Sequence, residues 1–390
     1  MLAFYAITNL HLLNIVNVKK FYFPNEDADL YIAVSDRLSP TLINAIIDLK
    51  LFNRIEYLPA SEKGKIKLFN QTHYLRLIIR FFEVIVSNYK SSENLKEKIG
   101  KIHYSHLFIN DFGTSQIFMM NYLNKYYHSF RISIIEEGAG VLYSNKDKIF
   151  FLSIQDRIFF TLFQLLTLNL VKKDVYIRRT NAIYVYKPQL YCSDAHLAPE
   201  MIPEINHSNN LVKKLLENEV QSLDISAYLE RRYYYFASSE VMRDSYTTTT
   251  LHINTLLSVI PENQLIIKDH PRFTNTDQAS SAYDQYLPNT YVDQRNYLLE
   301  SIFSQINLDN KVLITRNSAC VLHPKYMFGK EPYVLFTYKL YSDNITNMDK
   351  FASDLKISYN NKEKILVPEN IEEMKNMLQI IHQSIIKKAN

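Results

Sequence analysis

Short apolar runs rich in β-branched and aromatic residues alternate with helical stretches along nearly the whole chain, and this alternation leaves few folds open. Parallel strands need a crossover between them, usually a helix, and a sheet built this way is covered on both faces. Its strands therefore read as nearly continuous apolar runs. Such runs lie at Phe4–Thr8, Tyr31–Val34, Arg54–Leu58, His106–Ile109 and Ile132–Ile135 in the first half. The second half offers Ala182–Tyr186, Tyr233–Phe236, Leu265–Lys268, Val312–Thr315 and Tyr333–Phe336. Helical spacing fills the gaps at Leu10–Lys19, Pro40–Leu49, Tyr74–Val86, Leu211–Glu219, Thr248–Val259 and Cys320–Met327. The pattern predicts an α/β chain with parallel sheets covered on both faces.

A chain of 390 residues outgrows one ordinary core, so two domains are expected. Between Lys187 and Asn210 stand three prolines among many Ser, Asn and Asp residues, which marks a boundary. The expected division is residues 1–190, residues 191–368 and a terminal helix over 369–390, whose period is helical from Asn370 to Lys388.

Charge and cysteine content exclude several classes. A formal net charge of +4 is modest for this length and indicates no general appetite for nucleic acid. Cys192 and Cys320 are the two cysteines, without metal-ligand spacing or a framework of further partners, which fits a reducing cytoplasm. The start, Met1 to Thr8, reads as a strand and not as a secretory leader. The most apolar segment, Ile158 to Val171, has 14 residues, short of the roughly 20 that span a bilayer as a helix. It is expected to be a buried helix or, with Lys172 and Lys173 as anchors, an interfacial one.

Chemistry gathers at the ends of the apolar runs. Glu136-Glu137-Gly138 directly follows Ile132–Ile135. Open α/β sheets bind ligands beyond the carboxyl ends of their strands, and a carboxylate there can take a proton from an attacking hydroxyl. Neighbouring residues leaving a strand point to opposite sides, so one of the pair is expected to face a ligand, with Gly138 allowing a sharp turn. Lys268-Asp269-His270-Pro271-Arg272 follows Leu265–Lys268 in the same way. Arg272 offers oxyanions a planar fork, Lys268 a point charge and His270 a titratable proton, around a turn stiffened by Pro271. In Thr315-Arg316-Asn317-Ser318-Ala319, Asn317 or Ser318 is expected to cap the helix that follows, leaving backbone N–H groups for a phosphate oxygen. Gly329-Lys330-Glu331-Pro332 is a candidate border for a base and ribose pocket. A second His-Pro, His323-Pro324, lacks the basic frame of the first, and Asp27-Ala28-Asp29 reads as a solvated loop on the strands' amino-terminal side.

Lys63, Lys65 and Lys67 lead into a helical pattern carrying His73, Arg76 and Arg80. Spacings of three and four place the last three on one face, either a solvated face or a stripe that attracts a polyanion.

Taken together, the acidic-acidic-Gly motif in the first half, His270-Pro271 in the second and Ser318, 48 residues after that histidine, resemble the bacterial sialyltransferases. The opening Ile7-Thr8-Asn9-Leu10-His11-Leu12 also looks like theirs. Within that group the chain most resembles the capsular polysialyltransferases, then the lipooligosaccharide sialyltransferases. The resemblance implies two Rossmann-like domains facing across a cleft, of the GT-B type, with the terminal helix returning to the first. It implies an inverting transfer of sialic acid from CMP-sialic acid to a sialylated acceptor, with no metal or other cofactor. Glu136 maps to the general base with Glu137 in reserve, His270 acts on the CMP phosphate, and Ser318 maps to the serine motif. Lys268, Pro271, Arg272, Asn317, Ser318 and Gly138 form the expected donor side; Lys63, Lys65, Lys67, His73, Arg76 and Arg80 form the acceptor side. A cytoplasmic enzyme, peripheral at the inner membrane and in contact with a capsule assembly complex, is the implied setting.

Rival expectations are a CMP-Kdo transferase, a mono-sialyltransferase, a sugar-nucleotide epimerase and a non-catalytic nucleotide-sugar-binding subunit. If the basic stripe holds a growing polyanion, Arg76→Glu with Arg80→Glu shortens the products while donor hydrolysis persists. Product sizing reads this directly, and unchanged lengths refute it.

Overall fold

The computed structural model describes residues 1–34, 38–59, 93–100, 102–112, 114–126, 130–138, 176, 179–191, 197–205, 210–237, 253–268, 289–295, 297–340 and 348–389. The chain divides into two units, Met1–Leu38 with Ile43–Pro203, and Ser39–Leu42 with Glu204–Asn390.

Among the described residues the first unit has seven strands: β1 (Leu2–Ala6), β2 (Ala28–Val34), β3 (Arg54–Pro59), β4 (His106–Ile109), β5 (Arg131–Ile135), β6 (Thr180–Val185) and β7 (Ala198–Met201). Their spatial order is β3-β2-β1-β4-β5-β6-β7, and every pairing is parallel. The order runs outward in both directions from the β1/β4 pair, the doubly wound pattern of a Rossmann-like sheet. Phe4 of β1 stacks on Phe108 of β4 with ring centroids 4.4 Å apart, so this central pair is packed as well as hydrogen-bonded. Helix Asn9–Tyr22 follows β1 and is buried around most of its circumference. Thr8 starts it, its Oγ1 accepting the His11 N–H at 3.2 Å as an N-cap.

The second unit repeats the plan, with six strands among the described residues: β8 (Tyr233–Phe236), β9 (Leu265–Lys268), β10 (Tyr291–Asp293), β11 (Val312–Thr315), β12 (Tyr333–Phe336) and β13 (Ile365–Leu366). The order is β10-β9-β8-β11-β12-β13, again wholly parallel, with the reversal between β8 and β11. The expected α/β chain of parallel sheets is therefore present in both halves.

Two expectations on domain organisation need correction. The boundary falls at Pro203 and Glu204, beyond the expected 190/191, because β7 still pairs with β6. Asn17 Nδ2 also donates to the Pro203 carbonyl at 2.8 Å, holding that stretch to the first unit. The terminal helix, Ile371–Ala389, falls in the second unit. Met374, Leu378, Ile381 and Ile385 form its buried stripe, packed into the core around Tyr233, Tyr235, Ile267 and Ile314.

Lys63, Lys65, Lys67, His73, Arg76, Arg80 and the Ile158–Val171 segment lie outside the described residues. Among those described, no helix is long and apolar enough to cross a membrane.

Two histidines of the first unit are buried without a cationic role. Burial pushes His11 down to about 3, and burial together with the nearby Arg131 charge does the same to His106. His106 keeps one bond, between Nε2 and Ser133 Oγ at 2.8 Å. The unfolded chain binds protons at these imidazoles near pH 6.5 and the folded chain does not. The stability they leave intact above that pH is therefore lost as pH falls from about 6.5 toward 3, by up to about 1.4 kcal/mol per pH unit for each. Melting curves from pH 7.5 to 4.5 should show this acid loss, and His106→Gln should flatten it; an unchanged slope in the variant contradicts the assignment.

Candidate functional site

In the first unit the informative corner lies where β4, β5 and β6 end. The adjacent carboxylates divide as strand alternation demands. Glu136 is 2% exposed. Its Oε2 accepts the Tyr186 backbone N–H at 2.8 Å, just past β6, and its own N–H donates to the Tyr184 carbonyl at 2.9 Å. Asn14, from the helix after β1, donates through Nδ2 to the Glu136 carbonyl at 2.7 Å and accepts the Tyr186 hydroxyl at 2.6 Å. Glu136, Tyr186 and Asn14 thus form a buried ring of hydrogen bonds joining two strand ends to one helix.

Glu137 turns the other way. It is only half-buried, and its Oε2 accepts from Asn110 Nδ2, the first residue beyond β4. Asn110 is in turn held by Gln116, whose Nε2 donates to Asn110 Oδ1 at 2.9 Å. The turn closes at Gly138 with φ of 128°, a conformation that residues with a Cβ rarely adopt.

In the second unit the strand ends that carry the singled-out residues are those of β9 and β11, which flank β8. Lys268 is 6% exposed, and its ammonium donates to the carbonyls of Asp293 and Arg295 at 3.3 and 2.9 Å, over the face of Tyr297. This charge braces the loop after β10. Asp293 there accepts from Arg295, Tyr297 and Tyr228; its burial is outweighed by the Arg295 bond, the Lys268 charge and the Tyr297 bond, which keep its carboxyl below the usual range.

The turn after β11 is organised by Thr315, a correction to the expected cap at Asn317 or Ser318. Thr315 Oγ1 accepts the Ser318 N–H at 2.9 Å and donates to the Phe236 carbonyl at 3.3 Å. Ser318 precedes the 3₁₀ turn Ala319–Leu322 without capping it, and its hydroxyl donates to Cys320 Sγ at 3.1 Å. Cys320 is a free cysteine, and enclosure of its thiol pushes it up to about 12, so it is no thiolate nucleophile at neutral pH. His323 opens the short helix His323–Phe328, and its Nδ1 is hydrogen-bonded to the buried Glu300.

Two further expectations change. Lys330 donates to the carbonyls of Phe303, Ser304 and Ile306, closing the end of helix Leu299–Gln305, while Glu331 pairs with Lys325. That segment braces its unit through these contacts. Asp29 lies buried within β2, where Arg54 Nη2 donates to it at 3.0 Å and Tyr104 also donates, so it is no solvated loop residue. His270, Pro271 and Arg272 lie outside the described residues. Among the described residues no group of three or more His, Cys, Asp or Glu side chains is placed to hold a metal ion.

Asn14, Asn110, Tyr186 and Thr315 were not anticipated as parts of these corners. Asn110 carried the signal that singled out Glu136, a polar residue directly after an apolar strand. Asn14 and Tyr186 act through long-range bonds that leave no local pattern, and Thr315 combines a bond three residues on with one to Phe236 on the neighbouring strand.

Solved structures share this architecture. UDP-GlcNAc 2-epimerase from Methanocaldococcus jannaschii superposes with a TM-score of 0.52 at 11% identity, over 97% of this chain and 92% of that one. A UDP-glucosyltransferase from Polygonum tinctorium that glucosylates indoxyl gives 0.51 at 9%, over 99% and 92%. S. aureus MnaA with UDP gives 0.50 at 8%, over 99% and 87%. The fold is the GT-B fold. No protein-family model matches the chain, and no curated protein does.

The division of labour between the two glutamates is measurable. Glu136→Ala leaves the Tyr186 N–H without its acceptor in a buried place and should cost about 1–3 kcal/mol of stability. Glu137→Gln keeps a group that can accept from Asn110 and should stay within about 0.5 kcal/mol. Denaturant melts of both variants decide it, and equal effects would refute the division.

Proposed function

We propose that the chain is an inverting sialyltransferase that moves sialic acid from CMP-sialic acid to a hydroxyl of a sialylated glycan and extends a polyanionic capsular chain. One observation carries the reading. A half-buried carboxylate, Glu137, stands at the carboxyl end of β5 with its orientation held by Asn110, while its neighbour Glu136 is committed to the Tyr186 backbone. The resemblance assigned the base to Glu136 first; exposure and hydrogen bonding favour Glu137.

In the proposed reaction Glu137 takes the proton of the acceptor hydroxyl as its oxygen attacks the anomeric carbon. The bond from that carbon to the phosphate oxygen breaks, CMP departs, and the centre inverts to an α-sialoside. The departing phosphate is a single ester, which protein cations and backbone N–H groups can offset without a divalent metal. His270 and Arg272, which follow β9 in sequence, are proposed to meet it, with Pro271 stiffening their turn. Asn317 and Ser318, after β11, are proposed to add polar contacts. Lys268 serves indirectly, since its ammonium bonds to backbone carbonyls. Lys63, Lys65, Lys67, His73, Arg76 and Arg80 are proposed to hold the anionic acceptor. Work at the cytoplasmic membrane surface beside a capsule assembly complex belongs to the same reading.

Incubation with CMP-sialic acid and short sialic acid oligomers in chelator, with CMP-Kdo and UDP-GlcNAc as alternative donors, tests it. The expected result is oligomer growth from CMP-sialic acid alone. Glu137→Gln should lower transfer by about 100-fold or more with CMP binding retained. Product from another donor only, epimerisation of UDP-GlcNAc, or an undiminished Glu137→Gln variant overturns the reading.

A further inference from the structure

His11 is 0% exposed, and neither of its ring nitrogens has a hydrogen-bond partner among the described residues. The two asparagines that follow on the same helix are both bonded, Asn14 to Glu136 and Tyr186, and Asn17 to Pro203. The backbone at His11 is also satisfied, by Thr8. Of these three side chains it is the imidazole that lacks partners, at both nitrogens, and buried polar groups left that way are costly.

Its place in the fold is specific. β1 and β4 are the neighbours at which the strand order of the first sheet reverses, the point where open α/β sheets take ligands. His11 lies in the first turn of the helix that follows β1, and Asn110 directly follows β4. His11 and Asn14 are three residues apart, hence on one helix face, and Asn14 reaches the Glu136 carbonyl. His11 therefore shares the helix face of Asn14, one turn nearer the amino end of the helix than the residue that bonds to Glu136.

Burial keeps this imidazole neutral, with one N–H to give and one lone pair to receive. A sugar hydroxyl, which both donates and accepts, matches that pair. A carboxylate or phosphate, which only accepts, matches it poorly.

We propose that His11 is a sugar-hydroxyl contact of the first unit, binding the acceptor beside the Glu136–Gly138 corner. The proposal rests on the reading that a sugar hydroxyl is the acceptor. The ring is fully covered, so the sugar reaches it as that cover shifts.

The test uses the full chain with His11→Phe and His11→Gln. A trimer of sialic acid is the probe, its binding measured by calorimetry and its extension by steady-state kinetics. Phe keeps a ring and removes both polar atoms, so the melting temperature should rise by about 2–4 °C. Trimer binding should weaken by about tenfold or more, with the KM for the trimer rising alike and CMP binding unchanged. Gln, which retains a donor and an acceptor, should recover part of the trimer affinity and remains informative if the Phe variant does not fold. Wild-type trimer affinity in His11→Phe, or in both variants with unchanged KM, makes His11 a packing residue and overturns the inference. Trimer binding without any transfer by the wild-type chain overturns the sialyltransferase reading alone, with the binding comparison still deciding His11. Absence of both binding and transfer overturns both.

Discussion

Every strand pairing in both sheets is parallel, and the rest of the architecture depends on that constraint. In a parallel sheet all carboxyl ends emerge along one edge, so residues far apart in sequence are delivered to a common rim. Asn110 and the Glu136–Gly138 turn meet in the first unit in this way, and in the second Lys268 and Thr315 end strands on either side of β8, each in register with Phe236. The ladders satisfy the backbone of the strands, which leaves the connecting turns free to carry chemistry.

Several charges at these rims serve the backbone. Glu136 accepts a strand-end N–H and Lys268 donates to two loop carbonyls; at the opposite, amino-terminal ends of β11 and β12, Lys311 and Lys330 each close the carboxyl end of a short helix. A strand or helix that stops in a packed interior leaves unpaired backbone groups, and a charged side chain that bonds them meets its own desolvation cost at the same time. Residue type alone therefore does not separate a catalytic charge from a bracing one. Glu136 and Glu137 make the case, for they are chemically identical and adjacent, yet only the second is half-exposed.

The central strands were legible because they are covered on both faces. His106–Ile109, Tyr233–Phe236, Leu265–Lys268, Val312–Thr315 and Tyr333–Phe336 match their expected limits. The strands that escaped notice, β7, β10 and β13, are all sheet edges of two to four residues, one containing Pro199. An edge strand pairs on one side only and needs no long apolar run, so its sequence carries little signal. Missing β7 is also why the first unit ended too early in the sequence reading. The candidate corners were legible to the extent that chemistry follows a strand directly, as at Glu137 and Ser318. Thr315, Asn14 and Tyr186 were not, because their roles involve bonds across 79, 122 and 50 residues.

The amino-acid sequence by itself determined the class of fold, the presence of two α/β units and the places where polar residues follow strands, since burial and strand period act locally. Only the tertiary structure decided which of two neighbouring carboxylates is committed to the backbone, that Thr315 orders the turn before Ser318, and that the terminal helix packs on the second sheet. It also decided that His11 is enclosed without a partner. Those outcomes depend on which surfaces meet and which polar atoms find one another, and that information is spread over residues distant along the chain.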